Sequence, residues 1–228
     1  MKYSLSIILP FLNEINSLKK TLSILNKIKF EKEFLIIYSA KLTKKKIKKE
    51  IFSLKKKYKN FKYYKQTQPF VGGAIDLGLL KAKKNYIAIM ASDLETNPYE
   101  LIKMIRISLK NKESIISADR WIKNKGLRVT DYGLVKYLAN FIFQKLLKLF
   151  FNYKILDFTF AYRIYPKKAL KNYRIKELRH GFALEMLLVP MKKGFNVITI
   201  PSKWKKRIEG HSSINLKSYF SYLKVLWK

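Results

Sequence analysis

The sequence predicts an α/β protein built on a mainly parallel sheet with helices on both faces. Three observations predict it. Short apolar runs alternate with amphipathic runs through the first 120 residues, the order that βαβ units produce. Pro10, Gly72–Gly73 and Pro98 punctuate that alternation where elements should end or begin. With 228 residues, 48% of them hydrophobic, the chain is also long and apolar enough to bury a sizeable core.

Taken in order, residues 3–10 (YSLSIILP) read as a strand ended by Pro10, and 15–28 carry apolar residues at helical spacing. A second buried strand is expected at 33–40. A strongly basic helix follows at 42–60, with Ile47, Ile51 and Leu54 on one face. Residues 61–66 read as a short strand and 72–84 as a helix opened by glycines. Residues 85–92 form the next strand, 97–111 a helix with Pro98 near its start, and 113–120 a further strand. The second half is less regular. It holds an amphipathic helix at 137–153, the segment ILDFTFAYRIYP at 155–166, HGFALEMLLVPMKKG at 180–194 and a strand at 195–201. A basic stretch at 202–213 and a final amphipathic helix at 215–228 complete it. No repeat or low-complexity linker divides the chain, so a single domain over 1–228 is expected.

Composition narrows the chemistry. There is no cysteine, which excludes disulfides, thiol catalysis and Cys-type zinc sites and makes a reducing compartment the default. Two histidines, His180 and His211, do not supply a multi-His metal site. Lys and Arg number 49 against 15 Asp and Glu, a net charge of +34 that attracts polyanions: nucleic acid, anionic lipid or a phosphorylated substrate. Spread along the chain, the same lysines also read as ordinary solvated faces. No recognised nucleic-acid motif accompanies them, so no specific nucleic-acid partner is expected. Neither a secretory signal nor a run of roughly 18 apolar residues appears.

In parallel sheets of this kind ligands bind beyond the carboxyl ends of the strands. Those ends fall here at 10–14, 38–41, 66–73, 92–95 and 119–121. In MASDLETNP (90–98) a buried strand runs out into a lone acid, Asp93, with Glu95 two residues on. Read alone, the stretch suits an N-terminal helix cap by Ser92 or Asp93 better than it suits a site. Pro10, Asn13 and Glu14 fit a functional turn or an ordinary one capped by Asn13. Gly72, Gly73 and Ala74 permit close approach to phosphate or merely tight helix packing.

Taken together these stretches resemble the family 2 glycosyltransferases of GT-A fold, and among them the polyprenol-phosphate sugar transferases. IILPFLNE resembles the family's opening strand and Pro-x-x-Asn-Glu turn. VGGAIDLGLLKAKKNYIAIMASDLETNP resembles its Gly-Ala helix and Asp-x-Asp strand. SADRW, DFTFAYR and RIEGHSS are similar to its Ser-Arg-aromatic, Asp-x-Thr-x-x-x-Arg and Arg-x-x-Gly-x-Ser segments. The resemblance implies a nucleotide-sugar-binding half over 1–120 and an acceptor-binding half over 121–228. It implies transfer of a sugar to a polyprenyl phosphate by single displacement with inversion. Mg²⁺ or Mn²⁺ on Asp93 and Glu95 would neutralise the leaving diphosphate. It assigns Pro10, Asn13, Glu14, Gly73, Asp93 and Arg207 to the donor and Arg120, Arg128 and Glu185 to the acceptor. Asp157 and Arg163 join Asp93 as candidate catalytic residues, arginine being suited to phosphate by its planar fork. The amphipathic runs and the charge imply peripheral attachment to an anionic inner leaflet, or to a membrane-anchored partner, on the cytoplasmic side.

Three departures stand beside the likeness. Ala91 replaces the first acid of Asp-x-Asp, Tyr38–Lys41 holds none of the acids usual after the second strand, and Leu12 replaces a common aromatic. Stacking of a base on Tyr38 would be one replacement for those acids. The alternatives are transfer to a saccharide hydroxyl in surface-polysaccharide assembly, with Asp157 or Glu185 as base, and a binding module that has lost turnover.

Overall fold

A computed structural model of the chain describes residues 2–122, 133–151, 155, 157–209 and 216–226. Among these, seven strands form one sheet: β1 (Ser4–Phe11), β2 (Glu31–Tyr38), β3 (Phe61–Lys65), β4 (Tyr86–Ile89), β5 (Ile115–Asp119), β6 (Arg163–Pro166) and β7 (Val197–Pro201). Their order across the sheet is β3-β2-β1-β4-β6-β5-β7. Helices α1 (Ile15–Asn26), α2 (Lys45–Lys57), α3 (Phe70–Lys81) and α4 (Pro98–Lys110) connect the first five strands. α5 (Leu134–Phe151), α6 (Phe182–Lys192) and α7 (Leu216–Leu226) belong to the second half.

The two-residue period of a strand divides the apolar side chains between two layers. Leu5, Ile7 and Leu9 of β1 and Phe34 and Ile36 of β2 face one side, where they meet Leu18 and Leu22 of α1, Leu54 of α2 and Met104 of α4. Ile8, Leu35 and Ile37 face the other, against Ile75 of α3 and Phe182 and Met186 of α6. Each such side chain contributes about 1.5–3 kcal/mol by leaving water, which is why both helix layers stay on the sheet. A third cluster joins Leu147 of α5, Phe158, Leu184 and Leu187 of α6, and Tyr222 of α7.

The expected mainly parallel arrangement holds, and one strand that the sequence did not mark joins it antiparallel. β6 lies between β4 and β5 and runs antiparallel to both. It occupies four residues of the irregular 155–166 stretch and opens with an arginine, so no apolar period marks it. Several elements are shorter than expected. The basic helix runs over Lys45–Lys57 rather than 42–60, and β2 ends at Tyr38. β4 ends at Ile89 rather than 92, which frees the ASDLE stretch from the sheet.

α5 buries amides beside Leu147 and leaves much of its apolar surface outside. Asn140 and Gln144 are buried, and Gln144 Nε2 donates to Asn140 Oδ1 (2.9 Å) and Thr159 Oγ1 (2.8 Å). Leu134, Val135, Leu138, Ile142, Leu146 and Leu149 are exposed, Val135 and Leu149 at 78% and 81%. No helix among the described residues is long and apolar enough to cross a membrane.

Candidate active site

Three strand ends, β1, β4 and β7, send loops to one cluster of charge. After β1, Glu14 folds its carboxylate back over its own turn. Oε1 accepts from the Leu12 N–H (3.1 Å) and Oε2 from the Asn13 N–H (2.9 Å). The Ser92 hydroxyl, beyond β4, lies 2.8 Å from Glu14 Oε1 and 2.6 Å from the Pro10 carbonyl. That hydroxyl ties the two loops together. Asn13 is used differently: its Nδ2 donates to the Leu42 carbonyl (3.2 Å) and its Oδ1 accepts from the Lys44 N–H (2.9 Å). It splints the loop after β2, and the residue at the N-cap of α1 is Glu14, not Asn13.

After β4 the backbone turns through Leu94, whose φ of +67° is the left-handed region that a branched side chain avoids. This turn brings the acids on either side of it to one cation. Arg207 Nε donates to Glu95 Oε1 (2.8 Å) while its Nη2 lies 3.3 Å from Asp93 Oδ2. Asp93 Oδ1 accepts the Glu95 N–H (3.0 Å). Burial, then the Glu95 carboxylate, pushes the Asp93 carboxyl up to about 6, against the pull of Arg207. Helix capping is not the role of this stretch. The N-cap of α4 is Asn97, whose Oδ1 accepts the Tyr99 N–H at 3.0 Å. His180 is half-buried and close enough to feel Arg207, and burial followed by the charges of Arg207 and Arg179 pushes its imidazole below the usual range.

Asp93 and Glu95 fit a Mg²⁺ or Mn²⁺ ion in donor chemistry. Both present hard carboxylate oxygens, and both already meet one cation, the Arg207 guanidinium. Such ions take one or two protein carboxylates and fill the rest with substrate phosphate and water. Among the described residues no group of three or more His, Asp or Glu side chains is gathered for a metal, in keeping with Ala91 in place of an acid.

The acceptor-side candidates are placed otherwise. Arg120 is buried and clasps Asp157 through Nε–Oδ2 (2.7 Å) and Nη2–Oδ1 (3.0 Å), with its guanidinium 4.5 Å from the Phe160 ring centroid. Asp157 is 0% exposed, and its Oδ1 also accepts the Phe160 N–H (3.1 Å). Burial alone would raise its carboxyl, but the Arg120 guanidinium beside it holds it below the usual carboxylate range. A catalytic Asp157 does not fit this geometry, because every approach to the carboxylate is taken. Arg163 requires the same correction. Also 0% exposed, it donates to the carbonyls of Ala183 and Phe158 and to Ser117 Oγ, bracing β5, β6 and α6 from inside. Glu185 accepts the N–H groups of Lys176 (3.0 Å) and Glu177 (2.7 Å) and is likewise buried. Arg128 and His211 lie outside the described residues.

The glycines follow the packing reading. A Cβ on Gly72 would lie 2.6 Å from the Leu178 carbonyl oxygen, and one on Gly73 2.7 Å from that of Gln68. Tyr38 is packed with Phe52 and Tyr63 at 6.0 and 6.5 Å between ring centroids, so its ring belongs to the α2 layer. Two acids not singled out from sequence matter here. Glu100 accepts the Ser202 hydroxyl (2.6 Å), and Glu209 accepts the Ser17 N–H (2.8 Å). Their partners are 102 and 192 residues away, distances over which no local pattern exists. The one available signal is that Glu209 falls inside the RIEGHSS segment.

Sheet order, helices on both faces and a charged cluster beyond the strand ends define an α/β enzyme whose site lies at the carboxyl edge. Residues 6–174 match the glycosyl transferase family 2 domain, and the chain belongs to that family; it is a glycosyltransferase. Among solved structures it is similar to glucosyl-3-phosphoglycerate synthase from Mycobacterium tuberculosis in complex with UDP. Identity there is 14%, covering 99% of this chain and 79% of that one, at a TM-score of 0.68. The same synthase with Mn²⁺, UDP-glucose and phosphoglyceric acid matches at 12% identity, 98% and 79% coverage and a TM-score of 0.68. A mycobacterial protein matches at 13% identity, 99% and 73% coverage and a TM-score of 0.72. At these identities the likeness is one of fold, and the fold is the GT-A type.

Proposed function

We propose that this glycosyltransferase takes a sugar from a nucleotide-sugar donor and delivers it to a polyprenyl phosphate at the cytoplasmic face of a membrane. The donor half rests on the cluster beyond β1 and β4. Glu14 and Ser92 fix the two loops, Asp93 and Glu95 offer their carboxylates, and Arg207, seated on those two acids, is the guanidinium that diphosphate oxygens would meet. A Mg²⁺ or Mn²⁺ ion held by Asp93 and Glu95 supplies counter-charge for the leaving diphosphate. The M. tuberculosis synthase, solved with Mn²⁺ and UDP-glucose, supports that donor class by fold. Pro10, through its carbonyl, keeps the Ser92 hydroxyl in place.

For the acceptor, the observation that carries the reading is what Asp157 and Glu185 do. A hydroxyl acceptor needs a base, and these two carboxylates are consumed by Arg120 and by backbone N–H groups. A phosphate is already an anion at neutral pH and attacks the anomeric carbon without one. The outward apolar face of α5, flanked by Lys145 and Lys148, supports a lipid carrier and a peripheral position on the inner leaflet. Arg120 reaches this region through Asp157 and Thr159, which also meet Gln144 of α5.

One observation favours a hydroxyl acceptor instead. Asp119, at the end of β5, is buried with its Oδ2 unpartnered, and burial, then the Asp157 carboxylate, pushes its carboxyl up to about 6. One experiment separates the readings. Purified protein receives radiolabelled sugar nucleotides with polyprenyl phosphate, with Mg²⁺, Mn²⁺ or EDTA. Metal-dependent label in the organic phase supports the lipid phosphate. Label only in water-soluble saccharide, lost in Asp119→Asn, would replace it with the hydroxyl reading. No transfer and no donor binding in folded protein would leave a binding module.

A further inference from the structure

The chain that leaves β7 crosses the carboxyl edge of the sheet and is tied down at both ends. At the near end the Ser202 N–H donates to the Asp119 carbonyl (2.8 Å), the Ser202 hydroxyl to Glu100 Oε2 (2.6 Å) and the Lys203 N–H to Glu100 Oε1 (3.1 Å). At the far end Glu209 accepts from Asn16 Nδ2 (2.7 Å) and from the Ser17 N–H (2.8 Å). That amide is one of the donors that the first turn of α1 leaves without an intrahelical partner, and a carboxylate is favoured there by the helix dipole as well. Between the two ties, Arg207 rests on Asp93 and Glu95.

We propose that residues 202–209 form a strap that seats Arg207 in the cation position of the site. Glu209 is the positioning residue that sets the balance between Arg207 and a divalent ion for that position. The inference rests on Asp93 and Glu95 being the ion's ligands. Arg207 approaches Glu95 Oε1 at 2.8 Å and Asp93 Oδ2 at 3.3 Å. An ion such as Mg²⁺ would sit roughly 2.0–2.1 Å from the same oxygens, so the two cations would share both ligands and repel each other at contact distance. Ala91 offers the ion no further carboxylate, so the guanidinium is not outmatched from the start. Glu209 touches neither acid. It acts only by holding the strap on α1, two residues beyond Arg207. A diphosphate entering the site gives Arg207 a second anion to hold, so nucleotide and ion favour each other's binding.

The test measures Mn²⁺ binding to the protein alone, without nucleotide, from the electron paramagnetic resonance signal of the free ion. Wild type is compared with Arg207→Gln, Glu209→Gln and Asp93→Asn, each checked for folding by thermal melting. Arg207→Gln should bind Mn²⁺ about tenfold more tightly, the combined scale of its two ion pairs. Glu209→Gln should tighten binding by a smaller factor, roughly two- to fivefold, because it loosens the strap without removing the competitor. Unchanged or weaker binding in Arg207→Gln overturns the competition, and wild-type behaviour in Glu209→Gln overturns the positioning role. Asp93→Asn should lose the ion. Retention there would instead overturn the ligand assignment, and this result is distinct from the other two.

Discussion

Arg163 and Arg207 carry the same guanidinium into opposite circumstances. Arg163 is sealed in the sheet with carbonyls as partners, whereas Arg207 stays part-exposed against two carboxylates at a site. The consequences of removal should separate accordingly. Arg163→Met leaves the Ala183 and Phe158 carbonyls and Ser117 without their donor, which costs on the order of 3–5 kcal/mol in urea unfolding. Arg207→Ala should change stability by less than about 1 kcal/mol and abolish nucleotide-sugar binding in calorimetry. Asp119 provides a third case, read through pH. Its carboxyl is pushed from an ordinary 3.8 to about 6, so the folded chain holds the proton more tightly than the unfolded chain does. Stability from this group is therefore present at low pH and is lost as pH rises through that interval. Asp119→Asn should gain about 1–3 kcal/mol over wild type at pH 8 and almost none near pH 4, measured as the difference between their unfolding free energies.

At the scale of elements, α5 is the piece that ordinary packing does not account for. A helix on a protein surface turns its apolar face inward, yet here Asn140 and Gln144 face in beside Leu147, and Leu146 and Leu149 face out. The buried amides bond to one another and to the Asp157–Thr159 turn, so the inward face pairs a specific polar contact with the apolar packing of Leu147. Replacing Leu146 and Leu149 together by Glu should leave the melting temperature nearly unchanged, since exposed substitutions are usually within about ±0.5 kcal/mol. The same change should remove binding to vesicles of anionic lipid, scored by co-sedimentation. Vesicle binding equal to wild type would assign the outward face to another occupant.

For the whole molecule, the net charge of +34 acts at a distance that no single contact does. If it holds the protein on an anionic leaflet, association with such vesicles should fall at least roughly tenfold between 0.1 and 0.5 M salt, as the Debye length shortens. Binding indifferent to salt would mean that the apolar face of α5 suffices by itself.

The two layers of the sheet were legible in the chain because near-continuous apolar strands and amphipathic helices follow local rules. Ile7 and Ile8 go to opposite faces by period alone. The position of Asp93 and Glu95 beyond a strand end was legible for the same reason, and so was the family. β6 was not, since four residues opening with a charged one carry no period. Nor could sequence separate Arg120 and Arg163, which close internal gaps, from Arg207, which faces a site. Burial and partners decide that, and both are set by residues far away in the chain. Local order came from propensity and pattern, which act over a few residues. The seating of Arg207 on two acids, and of Glu209 on the N-terminus of α1 192 residues away, came only when the folded sheet brought distant loops to one edge.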